Sequence, residues 1–498
     1  MLKNILKIFY NYSSFINTYR FLKGGSFFLP RDSLNLKHSK KKISVNDKLF
    51  SLPGEYFQEI ENKKIDNKIS SVFGWVPFKK NKTNLVIFDF FAANYSIRKQ
   101  KLLRISLLNE NTIISQKLFL FPGYTILDLD LNEIFGEFDG QSVCVELFHP
   151  FIRKNHGGSD GQFRFWVRFH NGKILDNLST SHSLVSRKKI KFELKSLNGR
   201  RFSDLFLGFN HKDYCRSSIF DTFKQGKRVK TFFGFNAIED EDSNIRSLTH
   251  HSHYLKSDKN KKLKRQKQCL FIPKIENLDP TIFIDNLETG INKNNICITI
   301  FDKDNLELYK ESFITNGFFS RSISSFYKLN KDKEYIIVIE FDVFTEIYAH
   351  VLYNFGKMNL CDQVHLHKIN WNIENKILSP SSKILGSSRK FGYILKRSNK
   401  LQDDFFTLYL GVDKKSKKIN FYLRLYTDTD VEEVVKINHH VTNPILNLNI
   451  REIFKDLDNK FNRAAIIQLE SKSETINGNF LRIDLKNKII STDHLTGG

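Results

Sequence analysis

The residues of this chain best suited to chemistry are histidines that recur in one setting. Ser181-His182, Thr249-His250-His251-Ser252-His253, His365-Leu366-His367 and Asp493-His494 each close a stretch rich in alternating apolar residues. An imidazole can take up a proton or bind a divalent metal through a ring nitrogen. In an extended strand residues i and i+2 face the same way, so His251 with His253, and His365 with His367, are expected to offer paired imidazoles to a metal. Two nitrogens do not complete a site, and no Glu or further His follows either pair at a suitable spacing. The plainer account is hydrogen-bonded histidines at a repeated position. A divalent metal is the one cofactor the sequence suggests.

A second candidate is the loop His156-Gly157-Gly158-Ser159-Asp160-Gly161, which runs into Phe163-Arg164-Phe165-Trp166. Aromatic faces beside polar side chains hold sugars by stacking on the ring while the polar groups take hydroxyls. His156, Asp160, Phe165 and Trp166, with His182 and His494, are therefore the candidate ligand-binding residues; the alternative is a loop feeding a core strand. Asp128 and Asp130 form a DxD pair of the kind that holds a metal and a nucleotide diphosphate. They alternate with Leu127, Leu129 and Leu131, which places both carboxylates in solvent, and no nucleotide-binding βαβ pattern surrounds them. Asp302-Lys303-Asp304-Asn305 opens like a calcium loop but lacks the glycine and terminal acid of an EF-hand, so a hairpin turn explains it better. GxSxG, P-loop, HExxH and dinucleotide signatures do not occur, and no catalytic residue is assigned.

The elements that must position these residues come from a duplication. The peptide from Ile126 to Gly140 returns between Ile445 and Asn459, with Ile126, Leu127, Leu129, Glu133, Ile134, Phe135 and Asp139 reappearing as Ile445, Leu446, Leu448, Glu452, Ile453, Phe454 and Asp458. Asp128 and Asp130 become Asn447 and Asn449. Around each copy, short apolar or alternating runs are separated by turn residues at the spacing of an all-β sandwich or barrel. The fold expected is all-β: tandem antiparallel β-sandwich modules near 50–185, 273–378 and 390–498. In outline the module resembles Ig-like and fibronectin-like sandwiches, without the paired cysteines and strand-C tryptophan of immunoglobulin domains. A resemblance of that grade implies a fold and no function.

Domain organisation follows. Residues 1–48 form an amphipathic helix, its stripe made by Leu2, Ile5, Phe9, Tyr12, Ile16 and Tyr19, with a basic linker. Residues 49–185 form the first module, and residues 186–272 an irregular or degenerate copy with a lysine-rich linker (256–267) whose charge forbids burial. Residues 273–378 and 379–498 form two further modules.

Bulk properties narrow the function classes. With 40% hydrophobic residues the 498-residue chain has a globular composition large enough for several domains. Its five cysteines, Cys144, Cys215, Cys269, Cys297 and Cys361, form no CxxC pair, which argues against a disulfide scaffold or structural zinc. The net charge of +24 suits a polyanionic partner, though its lysines concentrate in linkers and no nucleic-acid-binding motif accompanies them. No apolar run reaches bilayer length and no leader pattern is evident, so a cytoplasmic chain is expected, with residues 1–22 able to lie on an anionic membrane surface. The expected role is a non-catalytic binding or assembly protein with a glycan, protein or cell-envelope partner. The alternatives are a membrane-peripheral, metal-dependent enzyme of surface-polysaccharide metabolism and a basic nucleic-acid-binding protein.

Overall fold

The computed structural model describes most of residues 262–497 and, ahead of them, the strands and short connections between residues 50 and 254. The N-terminal amphipathic segment and the loop holding His156 and Asp160 lie outside the described residues.

The described chain is all-β: antiparallel strands in several small sheets, with a few helices of a single turn. One arrangement occurs three times. In the C-terminal copy, a five-stranded sheet has the lateral order Glu432–His440, Lys418–Thr427, Ala464–Ser471, Arg389–Leu395, Thr496–Gly497. Its four-stranded companion has the order Ile445–Asn449, Gln402–Gly411, Thr475–Asp484, Ile489–His494. The middle copy repeats this with Glu307–Thr315, Asn294–Asp302, Tyr335–Val343, Lys264–Ile272, His367–Lys368, and with Phe318–Ser322, Thr281–Asp285, His350–Leu352, Gln363–His365. The N-terminal copy repeats it with Thr112–Phe121, Lys101–Asn109, Ser142–Phe148, Lys68–Phe73, Leu184–Ser186, extended to six strands by Phe50–Ser51 at the outer edge of Thr112–Phe121, and with Leu127–Asp130, Lys82–Ile87, Phe165–His170, Ser179–His182. Between the N-terminal and middle copies, Ile190–Leu197, Tyr214–Lys224, Lys227–Glu239 and Ile245–Tyr254 form a four-stranded meander.

The duplicated peptides occupy equivalent places. Each supplies the edge strand of its four-stranded sheet and turns at once into a one-turn helix, Leu131–Phe135 or Ile450–Ile453. The Asp130 carboxylate accepts the Asn132 backbone N–H at 2.8 Å, and the Asn449 side-chain Oδ1 accepts the Arg451 backbone N–H at 3.1 Å. Either side chain caps a helix start, which is why Asp and Asn interchange here.

Strand burial follows position in the sheet. Glu307–Thr315, at an edge, alternates strictly between half-buried and exposed, whereas Tyr335–Val343, central in the same sheet, is buried almost throughout. In the middle copy Leu270, Ile298 and Ile337 of the larger sheet share a core with Ile282, Phe319 and Val351 of the smaller.

The lysine-rich stretch departs from expectation. Residues 264–267 are strand, paired with Val343 through Glu340. Arg265 meets Asp342 at 3.2 Å and Lys267 meets Glu340 at 3.3 Å. Opposite charges directly across a ladder neutralise each other on a partly exposed face, while Gln266 between them is buried. The strand lies between Tyr335–Val343 and His367–Lys368, within the sheet it had been expected to precede.

Among the described residues one kind of interface between copies recurs. Along the C-terminal strand Gln402–Gly411, Phe406, Leu408 and Leu410 enter the core of their own copy, while Phe405 and Tyr409, on the other face, join clusters with the middle copy. There Tyr409 and Ile445 pack with Cys269, Phe271 and Val338, and the Tyr409 hydroxyl accepts the Phe271 amide at 3.3 Å. Trp371 joins them and donates its indole N–H to the Leu410 carbonyl at 3.0 Å. The N-terminal copy meets the C-terminal copy in the same way: Val86, Phe88 and Trp166 enter the C-terminal cluster, with Phe88 5.2 Å from Tyr426 and Trp166 5.3 Å from Tyr393, ring centre to ring centre. Register makes the two interfaces equivalent. Val86 and Thr407 stand across from Trp166 and Asn479, so Phe88 corresponds to Tyr409. Phe391 and Cys269 stand across from Thr496 and His367, so they correspond as well. The outer face of a four-stranded sheet thus docks on the five-stranded sheet of its neighbour, twice. This covers both faces of strands such as Leu85-Val86-Ile87-Phe88, which is why they read as unbroken apolar runs.

Candidate functional site

The last strands of the four-stranded sheets come together. Ser179–His182 packs against Ile245–Tyr254, which packs against Gln363–His365, which packs against Ile489–His494, which returns to Ser179–His182. The cycle runs in chain order and closes. In the three two-sheet copies a histidine occupies one ladder position of this strand, His182 opposite Trp166, His365 opposite His350 and His494 opposite Asn479, while in the meander His250 stands opposite Phe235 beside a register shift. In the three two-sheet copies the chain then leaves one sheet for the other, entering Leu184–Ser186, His367–Lys368 or Thr496–Gly497. Leu495 makes that crossing in the C-terminal copy, fully buried, and a Cβ on Gly392 would lie 2.8 Å from its side chain.

His494 is 8% exposed, and its Nδ1 lies 3.4 Å from an Asp493 carboxylate oxygen that also accepts the His494 amide at 2.7 Å. Among the described residues, no group of three His, Cys, Asp or Glu side chains is placed to hold a metal; of the four corner histidines, His494 is the one whose side chain is described.

The paired-imidazole expectation fares differently at its two locations. His365 and His367 belong to separate sheets, because the strand breaks between them, and the i, i+2 rule holds only within a continuous strand. His251 and His253 share the strand Ile245–Tyr254, but a register shift opposite Phe233 and Phe235 inserts an extra residue there. Phe165 and Trp166 are fully buried, so neither offers a ring face to a sugar in solvent. The apolar run that suggested a stacking platform is a strand covered on both sides.

Asp128 also differs from expectation. It is 2% exposed, and its carboxylate takes Arg168 through Nη2 at 2.6 Å and Nε at 3.2 Å, and the Asn84 amide at 2.9 Å. His170 joins through the Asn84 carbonyl oxygen at 2.8 Å. The Asp128 face is the one that carries Val86 and Trp166 toward the C-terminal copy, so docking removes it from water. A buried carboxylate of this kind must be paired. Asp302 behaves as a turn residue, its carboxylate accepting the amides of Asp304 and Leu306, each at 2.9 Å.

Sequence reasoning missed a second buried cluster. Arg451, from the one-turn helix, donates to Asp404 at 2.7 Å and to Asp458 at 2.7 Å, while Arg482 donates to the Leu395 carbonyl at 2.9 Å and to Gln402 at 3.0 Å. Burial pushes the Asp458 carboxyl up, but the Arg397 amide and the Arg451 and Arg397 guanidiniums outweigh it and hold the group below its usual range. Burial lowers the Arg482 guanidinium, against the opposing pull of Asp404. The partners lie on distant strands, so sequence spacing gave no signal. These donors face protein carbonyls and carboxylates, an arrangement that ties the end of the core together. Elsewhere, an open pocket of about 510 Å³ in the middle copy has Ile272, Leu278 and Tyr335 in its wall and Lys328, Lys331 and Lys333 among its lining. Its cationic side suits an anionic group.

No protein-family description matches the chain, and no curated protein matches it either. Two crystal structures of the Parabacteroides merdae β-glucuronidase, one with glycerol in its active site, align at 7% identity and a TM-score of 0.12. They cover 65% and 64% of this chain, which spans about a third of their length. A likeness at that level establishes neither fold nor function.

Proposed function

We propose that the chain is a non-catalytic binding or assembly protein, a ring of four β-sandwich-derived modules with the meander as the reduced member, and that its ligand is a glycan or another cell-envelope component. The observation that carries this reading is the repeated docking of one copy's four-stranded sheet on the next copy's five-stranded sheet, with the N-terminal copy returning to the C-terminal one. A head-to-tail interface that closes yields a finite rigid body rather than a filament. Loops held at the rim of such a body can recognise ligands without catalytic groups.

Residues 149–164, outside the described residues, connect the strand Ser142–Phe148 to the strand carrying Trp166, which is anchored in an interface. His156 and Asp160 remain the ligand-binding candidates there; Trp166 serves as the anchor, with Phe165 buried beside it on the strand's other face. The test is binding of the purified protein to a glycan array, with His156→Ala and Asp160→Ala beside the parent. Selective binding lost in both variants, with unchanged thermal unfolding, supports the reading. A blank array from folded protein counts against it.

A further inference from the structure

The open pocket of the middle copy carries a proposal that is separate from the glycan reading and stands whether or not a glycan is found. Strand register shows what the pocket replaces. Cys269 and Phe391 correspond, so Ile272 corresponds to Ile394 and Pro273 to Leu395. Thr281 stands across from Ser322 and Phe405 across from Asn449, in each case the residue before a short helix. Leu278 therefore corresponds to Gln402, Pro280 to Asp404 and Ser324 to Arg451. Thr281 also stands across from Leu352 and Phe405 across from Leu481, so Tyr353 corresponds to Arg482.

In the C-terminal copy this corner is filled by charge. Arg451 donates to Asp404 and to the Leu395 carbonyl, each at 2.7 Å, and Arg482 donates to Gln402 at 3.0 Å. In the middle copy leucine, proline, serine and tyrosine stand at those places, and none can rebuild the network. The Ser324 hydroxyl turns to Asp279 at 2.6 Å, and the Tyr353 hydroxyl donates to the Phe271 carbonyl at 3.3 Å. What remains is the cavity of about 510 Å³, walled by Ile272, Ile275, Leu278 and Leu329. Interiors pack at near-crystal density, so a corner that had only lost its arginines should fill with larger apolar side chains.

This corner instead borders on exposed cations. Lys328, Lys331 and Lys333 line the pocket, and no carboxylate occurs among its described lining. Lys331 lies 3.4 Å from Glu276, but both side chains are exposed and such a pair is weak. The segment that carries the lysines is held by its own backbone. The Tyr335 hydroxyl accepts the Asn330 backbone N–H at 2.8 Å, the Lys333 N–H reaches the Asn330 carbonyl at 3.0 Å, and the Asp332 N–H reaches the Asn330 side-chain oxygen at 2.9 Å. Lysine stems on a fixed turn lose less freedom when they meet a ligand.

We infer that this pocket binds one small organic anion with an apolar body. Its carboxylate or phosphate head meets the ammoniums of Lys328, Lys331 and Lys333, and its body lies on the wall made by Ile272, Ile275, Leu278 and Leu329. The cavity falls within the about 300–1,000 Å³ usual for small-molecule sites, where an apolar lining carries a few polar groups.

The experiment titrates the full chain by calorimetry with decanoate and with decyl phosphate, each below its micelle-forming concentration. One molecule per chain is expected for at least one of the two, with decanol at least about tenfold weaker and the affinity falling as salt is added. Lys328→Gln, Lys331→Gln and Lys333→Gln combined should weaken binding at least about tenfold. Leu278→Gln, which writes the C-terminal copy's residue into the wall, should weaken it as well. Lys436→Gln, on the exposed face of Glu432–His440, should leave it unchanged. A decanoate bearing a diazirine should label peptides that contain residues 272–278 or 328–335. No saturable binding of either anion, decanol binding as tightly as decanoate, or labelling confined to other peptides overturns the assignment. Labelling of the parent protein decides the matter if a variant does not fold.

Discussion

Replacing Trp166 with alanine separates a structural anchor from a ligand platform. The indole is fully buried in the N-terminal copy and lies 5.3 Å from the Tyr393 ring of the C-terminal copy. A tryptophan buries about 150–250 Å². At about 25 cal/mol/Å² that corresponds to about 4–6 kcal/mol, part of which the remaining Cβ retains. Measured truncations of buried aromatics cost about 3–5 kcal/mol, so a loss near 4 kcal/mol is expected, with Trp166→Phe well under half of that. Equilibrium urea unfolding followed by circular dichroism and by fluorescence gives the number. The chain has three tryptophans, and Trp371, packed with Tyr409, continues to report the interface between the middle and C-terminal copies. The N-terminal copy should unfold early in the variant while the Trp371 signal follows later. A cost below about 1 kcal/mol, together with lost ligand binding, would place the indole on a surface and refute the docking argument.

Tyr409→Phe removes the hydroxyl that accepts the Phe271 amide and should cost about 1 kcal/mol in the same unfolding assay. Arg451→Leu leaves Asp404 and Asp458 without a principal partner and should cost about 3–5 kcal/mol, the usual penalty for breaking a buried ion pair. Gly478→Ala places a Cβ 2.4 Å from the Thr407 carbonyl oxygen on the neighbouring strand, so a loss of about 1–3 kcal/mol is expected, read as a fall in Tm. Asp458 is held below its usual range, so its contribution is present above the unfolded carboxylate value of about 3.9 and disappears as pH falls through the lower folded value. Stability measured between pH 5 and pH 2 should therefore fall less steeply with acid in Asp458→Asn than in the parent.

Much of the architecture was legible because strand patterns and the duplicated peptide are local signals. Ile126 to Phe135 and Ile445 to Phe454 fold into the same strand and capped turn that their shared residues imply. The errors came from surfaces covered by other copies. Asp128 reads as solvent-facing because its strand alternates, yet docking buries its face and pairs it with Arg168. Trp166 reads as a ligand platform because it follows a glycine-rich loop, yet the C-terminal copy covers it. Lys264–Lys267 reads as linker because charge usually marks exposure, but Asp342 and Glu340 across the ladder neutralise it. The histidine ladder was visible as a repeated motif. That the strands carrying these histidines pack in one closed cycle was not, since the sequence carries no direct signal of which sheet faces dock.

The closure of the ring is the claim on which the rest depends, and a distance across its seam tests it most directly. Ile113 in the N-terminal copy and Val434 in the C-terminal copy are exposed and can carry spin labels through unnatural amino acids, leaving the native cysteines untouched. Pulsed electron paramagnetic resonance on the doubly labelled chain should give one narrow distance distribution, unchanged by dilution. A broad distribution, as tandem modules on a string would give, contradicts the closed ring.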